Sequence, residues 1–322
     1  MSVKNTIDVL KQNLPSYVIT NQSDGCDHLL KAKRAIFLDT GFATRLSLIN
    51  FSSLGQLLDI ILEQFDAREI VVIVTELVLF ELKDANNNEI NCSVKQIFDL
   101  CKEKEVPVVV INEETLYKEL MRFSDYNIEW WNILFLERLK ENKANLIKLM
   151  KLIDSDTSLS LNSTFEVKAT TLRDKEFVAS CIEQFKERKH NRDSLAEELI
   201  SVIIMFLFEG FMNTPNKRIY FCSCDNGALA RIKMTLSTSY RNDMSSFENI
   251  HLFTLIQFMV TQGILSDKAE VKNIFEKMMQ PTIAVVEKKD LPFCETEQKI
   301  TIDQVIDGIF NGREYSYRGN YF

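Results

Sequence analysis

Four carboxylates stand where apolar or amphipathic stretches give out. Asp39 follows Ala35-Ile36-Phe37-Leu38, Glu81 lies on the segment after Ile70–Val74, Asp193 precedes an apolar stretch ending near Phe208, and Asp225 follows Ile219–Phe221. Acids that converge at one place cannot all stay ionised without a counterion. Hard divalent cations with oxygen ligands, Mg²⁺ or Mn²⁺, supply one. A cation held that way activates water and steadies a leaving oxygen in phosphodiester hydrolysis. Glu197 is four residues beyond Asp193 and so shares its helical face, as a further ligand or as a solvent-facing acid. Asp225 is also a plain helix cap on its residue type alone, because Asp at a strand-to-helix turn commonly accepts the first free amides.

Basic residues near these acids are candidates for phosphate contact: Arg45 just past Asp39, Lys189 and Arg192 just ahead of Asp193, and Arg231 past Asp225. The run Lys186-Glu187-Arg188-Lys189-His190-Asn191-Arg192 is the most basic local stretch and the best candidate for a substrate groove. The bland reading of each is a solvated cation.

The elements that must position these acids alternate. Ala35–Leu38 reads as a strand, Phe51–Gln64 as a helix by its leucine spacing, and Ile70–Val74 as a buried β-branched strand. Thr75 reads as the cap of the helix carrying Glu81; a helix over Val94–Cys101 and a strand over Val106–Ile111 follow. Alternation of this kind predicts a parallel sheet with helices on both faces. Arg218–Phe221 is expected as a fourth strand, with a helix over Asn226–Ser237, and Ile250–Leu255 as a fifth strand before a helix end at Phe258–Leu265. Residues 1–33 form a helical lead-in, 34–265 the main domain, about 112–190 a helical insertion, and 266–322 a C-terminal extension. Trp130-Trp131 is read as packing for the insertion, with base stacking as the alternative. In the extension Val271–Met279 and Ile302–Phe310 read as helices and Thr282–Val286 as a strand, before an aromatic, polar tail.

Composition narrows the function. The 322 residues are 46% hydrophobic and 26% charged, which suits a globular chain. No apolar run is long enough for a membrane span, and no signal-peptide core is apparent, so a cytoplasmic protein with no membrane partner is expected. Seven scattered cysteines argue for reduced thiols. With three histidines and none near Cys222 or Cys224, zinc is not expected. A net charge of −8 means that any nucleic-acid contact needs a local basic patch or metal ions. No GxGxxG or GxxxxGK[ST] cradle is present, and the histidines sit at no triad motif.

Taken in order, IFLDTGF, VVIVTELVLFELKD, RDSLAEELI and SCDNGALARI resemble the four acidic motifs of the PIN-domain nucleases, over residues 34 to about 265. The long insertion marks a larger PIN-like member. The resemblance implies a three-layer α/β/α fold around a parallel sheet of about five strands in the order 3-2-1-4-5. It implies cleavage of single-stranded RNA assisted by Mg²⁺ or Mn²⁺, without a covalent intermediate, leaving a 5′-phosphate. Carried over by position, Asp39 and Asp225 would ligate or bridge the metal. Glu81 and Asp193 would ligate it or hold its water, and Thr40 matches the hydroxyl beside the first acid. A homo-oligomer or a protein partner engaged through the insertion or the C-terminal extension is a further expectation. The alternatives are a nuclease acting on DNA, a non-catalytic PIN-like module for scaffolding or protein binding, and a haloacid-dehalogenase-type phosphatase. The last wants a second Asp at position 41, where Gly41 stands.

Overall fold

A computed structural model describes residues 2–84, 89–122, 128–129, 132–133, 135–136, 173–187, 189, 195–196, 199–200, 203–204, 207, 217–228, 247–288 and 297–320. The elements are α1 (Val3–Gln12), α2 (Gln22–Lys31), β1 (Arg34–Leu38), α3 (Thr40–Leu46), α4 (Phe51–Leu62), β2 (Ile70–Thr75), α5 (Glu76–Glu81), α6 (Cys92–Glu103), β3 (Val108–Ile111) and α7 (Glu113–Arg122). They continue with α8 (Phe177–Glu187), β4 (Arg218–Ser223), β5 (Phe247–His251), α9 (Leu252–Thr261), α10 (Lys268–Met278), β6 (Thr282–Glu287), β7 (Glu297–Thr301), α11 (Ile302–Phe310) and β8 (Tyr315–Asn320).

The first five strands form one all-parallel sheet in the order β3-β2-β1-β4-β5. One half of it is dry: every residue of β2 and of the edge strand β3 is buried, and both strands are almost wholly Val and Ile. Side chains on both faces of such a strand must meet helices, which is why these runs are continuous rather than alternating. Phe37 of β1 and Phe221 of β4 are fully enclosed between the helical layers.

The N-terminal segment joins this body. Ile19 adds a parallel bridge to Val109 on the outer edge of β3, its amide donating to the Val108 carbonyl at 2.9 Å. α1 packs on α5, and α2 on β3. The segment beyond Asp193 has buried, helical positions at Leu195, Ala196, Leu199, Ile200, Ile203, Ile204 and Leu207. No helix among the described residues is long and apolar enough to cross a membrane.

The strand expected over Ile250–Leu255 ends earlier. The chain turns helical at Leu252, because the His251 side chain caps the helix and accepts the Phe253 amide at 3.0 Å. The C-terminal extension holds a second sheet, antiparallel, in the order β7-β6-β8. Two of its strands, Glu297–Thr301 and the aromatic tail Tyr315–Asn320, were not expected as strands from the sequence. Thr301 closes a full capping box with Gln304 at the start of α11. This sheet is fastened to the main body by α9: the Tyr315 amide donates to Gln257 Oε1 at 2.8 Å.

Candidate active site

The register of the parallel sheet lines up four polar side chains. Leu38 pairs with Cys222, Phe37 with Ile73, and Ser223 with His251. Carried on to the strand ends, Thr75, Asp39, Ser223 and His251 form one row across β2, β1, β4 and β5. The row lies at the carboxyl edge, on the crevice between β1 and β4 where the winding of the sheet reverses direction. Open α/β sheets bind their ligands at such a crevice.

Asp39 occupies the cap position of α3 but makes no side-chain cap bond. It is only 3% exposed. Its Oδ2 accepts from the Ser223 hydroxyl at 2.7 Å, and its Oδ1 is buried with no hydrogen bond. Burial raises its pKa above the ordinary value and Glu81 adds to the rise, while Ser223 and the amides of Thr40 and Gly41 pull the other way. A buried carboxylate with an unmet oxygen is costly.

Ser223 joins two of the acids. While its hydroxyl donates to Asp39, its oxygen accepts the Asp225 amide at 3.0 Å. Asp225 in turn accepts the Gly227 amide on Oδ1 at 2.7 Å and is exposed. Capping the next turn and standing at the mouth of the crevice are therefore compatible roles for one carboxylate.

Glu81, at the end of α5, is reached by two donors. The Thr40 hydroxyl donates to Oε2, and the Lys189 ammonium lies 2.5 Å from Oε1. The Lys189 side chain has no exposure at all. Expected on a substrate backbone, this lysine instead points inward onto an acid.

On the β5 side, a Cβ at Gly41 would stand 3.4 Å from Asp39 Oδ2, 3.6 Å from Arg45 Nη1 and 3.9 Å from Cys224 Cβ. Asp39, Arg45 and Cys224 thus all lie close to the Gly41 backbone. Burial raises the Cys224 thiol, and a hydrogen bond with Arg45 partly offsets this. His251 is neutral in this setting. Its Nδ1 accepts the Phe253 amide, which leaves Nε2 to donate to the Cys224 carbonyl at 3.2 Å. Burial lowers its pKa to about 4. The Tyr317 ring, reaching over from β8, stacks on His251 at 4.6 Å and on Phe253 at 5.5 Å. Burial, with Cys224 nearby, raises its phenol to about 12.

A second acidic cluster sits at the ends of β2 and β3. Ligand atoms of Glu76, Glu113 and Glu114 all lie within 4.8 Å of one another, the one such set of three among the described residues. The Lys186 ammonium already fills it, 2.6 Å from Glu76 Oε2, 2.9 Å from Glu113 Oε2 and 2.8 Å from Glu114 Oε2. Lys11 adds a further contact to Glu76 at 2.9 Å. Burial would raise Glu76, but the two lysines outweigh it and hold its carboxyl below the ordinary value. A divalent ion here would have to displace the lysine.

Of the acids expected from the sequence, Asp39, Glu81 and Asp225 come to this edge with Thr40 and Arg45. Asp193, Glu197, Arg192 and Arg231 lie outside the described residues, as does Trp130-Trp131. In the basic run, Lys186 and Lys189 both turn inward. Sequence reasoning passed over Ser223, Glu76, His251 and Tyr317. Only Ser223 left a signal, as a hydroxyl residue two before a strand-end acid. Compared with family models, curated proteins and solved structures, the chain matches none.

Proposed function

We propose that the chain is a metal-dependent nuclease that hydrolyses single-stranded RNA, with a PIN-like arrangement of acids. One observation carries the reading most: the buried, unmet Oδ1 of Asp39, on a carboxylate that does not cap its helix, at the crevice beside Asp225. The donor set is oxygen only, which suits Mg²⁺ or Mn²⁺. Asp39 and Asp225 would hold the ion, and the resemblance adds Glu81, Asp193 and Glu197 as further acids. When bound, the ion supplies charge neutralisation and water activation.

The chain's own residues do the rest. Ser223 fixes the rotamer of Asp39 and anchors the Asp225 turn through one hydroxyl. Thr40 holds Glu81 toward the same edge. Arg45, close to Gly41 and hydrogen-bonded with Cys224, would meet a phosphate oxygen in this reading. A non-catalytic, protein-binding use of the same fold is the second reading; it leaves the unmet oxygen of Asp39 unexplained.

The test is cleavage of end-labelled single-stranded RNA and DNA in parallel with Mn²⁺, with Asp225→Asn alongside. RNA cut to 5′-phosphate ends and a loss of at least about a hundredfold in the variant support the reading. Cleavage of DNA alone reassigns the substrate. Absence of cleavage on every substrate favours the binding module.

A further inference from the structure

The C-terminal sheet brings one side chain to the edge of the main sheet. Tyr315 seats it: its amide donates to Gln257 Oε1 at 2.8 Å, and a Cβ at Gly308 of α11 would collide with its ring. Two residues on, Tyr317 shares the strand face of Tyr315. A bulge follows at once, because Val285 pairs with Tyr317 but Ala284 with Gly319, which leaves Arg318 extra. A bulge bends its strand and re-aims the side chain beside it. The Tyr317 ring stacks on His251 at 4.6 Å. The side chain is half-buried, and its hydroxyl has no hydrogen-bond partner among the described residues. Cys224 and Arg45 are the groups whose charge bears on that phenol, and Arg45 is itself hydrogen-bonded with Cys224. Arg45 is also half-buried and pairs with no carboxylate among the described residues, so most of its five N–H donors are unused. Donors from α3 and from β8 therefore gather around Cys224, the residue before Asp225.

We propose that Arg45 and Tyr317 form a phosphate subsite on the β4–β5 side of the crevice, with the C-terminal extension supplying one of its two donors. This rests on the nuclease reading above and deepens it, by naming the group that holds the substrate backbone. A guanidinium presents a planar fork that matches two oxygens of one phosphate. Burial holds the Tyr317 phenol protonated, so it donates to the same anion without adding charge. Asp39 and Asp225 oppose an anion brought to this edge, so the subsite alone is weak, with millimolar affinity for a single phosphate. Tyr317 is a substrate-binding residue in this arrangement, and the antiparallel sheet is a working part of the site.

The experiment is binding of a short fluorescein-labelled oligouridylate to the full chain in chelator, followed by fluorescence anisotropy, with inorganic phosphate as competitor. Wild type should bind the strand, and millimolar phosphate should displace it. Tyr317→Phe keeps the ring on His251 and loses only the hydroxyl, so it should bind about tenfold more weakly. Arg45→Met should lose more than Tyr317→Phe. Lys272→Met removes the same charge from an exposed position on α10 and should leave binding unchanged. A strand that phosphate does not displace, yet that still depends on the Tyr317 hydroxyl, assigns the subsite to phosphodiesters alone. Equal affinity in wild type and Tyr317→Phe, an equal loss in Lys272→Met and Arg45→Met, or no binding by wild type overturns the assignment. No divalent ion is present in these measurements, so cleavage with Mn²⁺ stands or falls separately.

Discussion

The ring of Tyr317 lies 4.6 Å from that of His251, the two planes 28° apart. This contact ties the C-terminal sheet to the edge of the main one. His251 in turn donates to the Cys224 carbonyl, one residue before Asp225. The extension therefore touches the candidate site through a short chain: β8, Tyr317, His251, then the turn that carries Asp225.

That chain makes stability sensitive to acid. The folded value of His251, about 4, lies below its ordinary 6.5. Between those two values the unfolded chain binds more protons than the folded one, so stability is lost as pH falls through the window. Arg45, Asp225 and Tyr317 are the groups that face it, and burial outweighs them. Urea denaturation at pH 7 and pH 4.5 should show wild type losing roughly 2–3 kcal/mol more than His251→Asn, a change that keeps a capping side chain. Equal losses in the two proteins would mean that His251 is not held neutral.

Ser223→Ala removes the hydroxyl that holds Asp39 and receives the Asp225 amide. Partners that orient a ligand typically matter about 10–100-fold in metal affinity or activity. A loss in that range is expected in Mn²⁺ affinity measured by calorimetry, with Ser223→Thr retaining more than Ser223→Ala. An unchanged affinity in Ser223→Ala would separate Asp39 from the ion.

Lys186→Met tests the second cluster as a fold element. Its side chain is 8% exposed, and the change leaves Glu76, Glu113 and Glu114 facing one another. Breaking a buried pair costs about 3–5 kcal/mol. Denaturant unfolding should show a loss of that size, partly recovered by adding Glu113→Gln, since burial already raises the Glu113 carboxyl. A loss below about 1 kcal/mol would show the network to be a solvated surface feature.

The architecture was legible because the strands of the main sheet are short apolar runs bounded by polar turns. β2 and β3 are buried on both faces, which their near-continuous apolar sequences reflect; the order of the strands was an implication of the resemblance, not of these runs. Asp39 was legible for a related reason, since the first charge after such a run falls at the sheet edge. The boundary between β5 and α9 was not legible. Leu252, Phe253 and Ile256 are apolar in either structure, and what decides is a cap made by His251. The two lysines were misplaced because charge defaults to solvent. Their burial depends on Glu76, Glu113 and Glu81, which lie far upstream in the chain, and no local pattern announces that pairing.

The most direct measurement is the rate at which labelled single-stranded RNA is cut by wild type and by Asp39→Asn, side by side, with Mn²⁺ and after its removal by chelation. Wild type should cut only with the ion. Asp39→Asn keeps an oxygen to accept from Ser223 but loses the ligand charge, so it should fall by at least about a thousandfold. Cleavage that survives chelation, or an Asp39→Asn protein that cuts at the wild-type rate, would contradict a metal-dependent nuclease centred on Asp39.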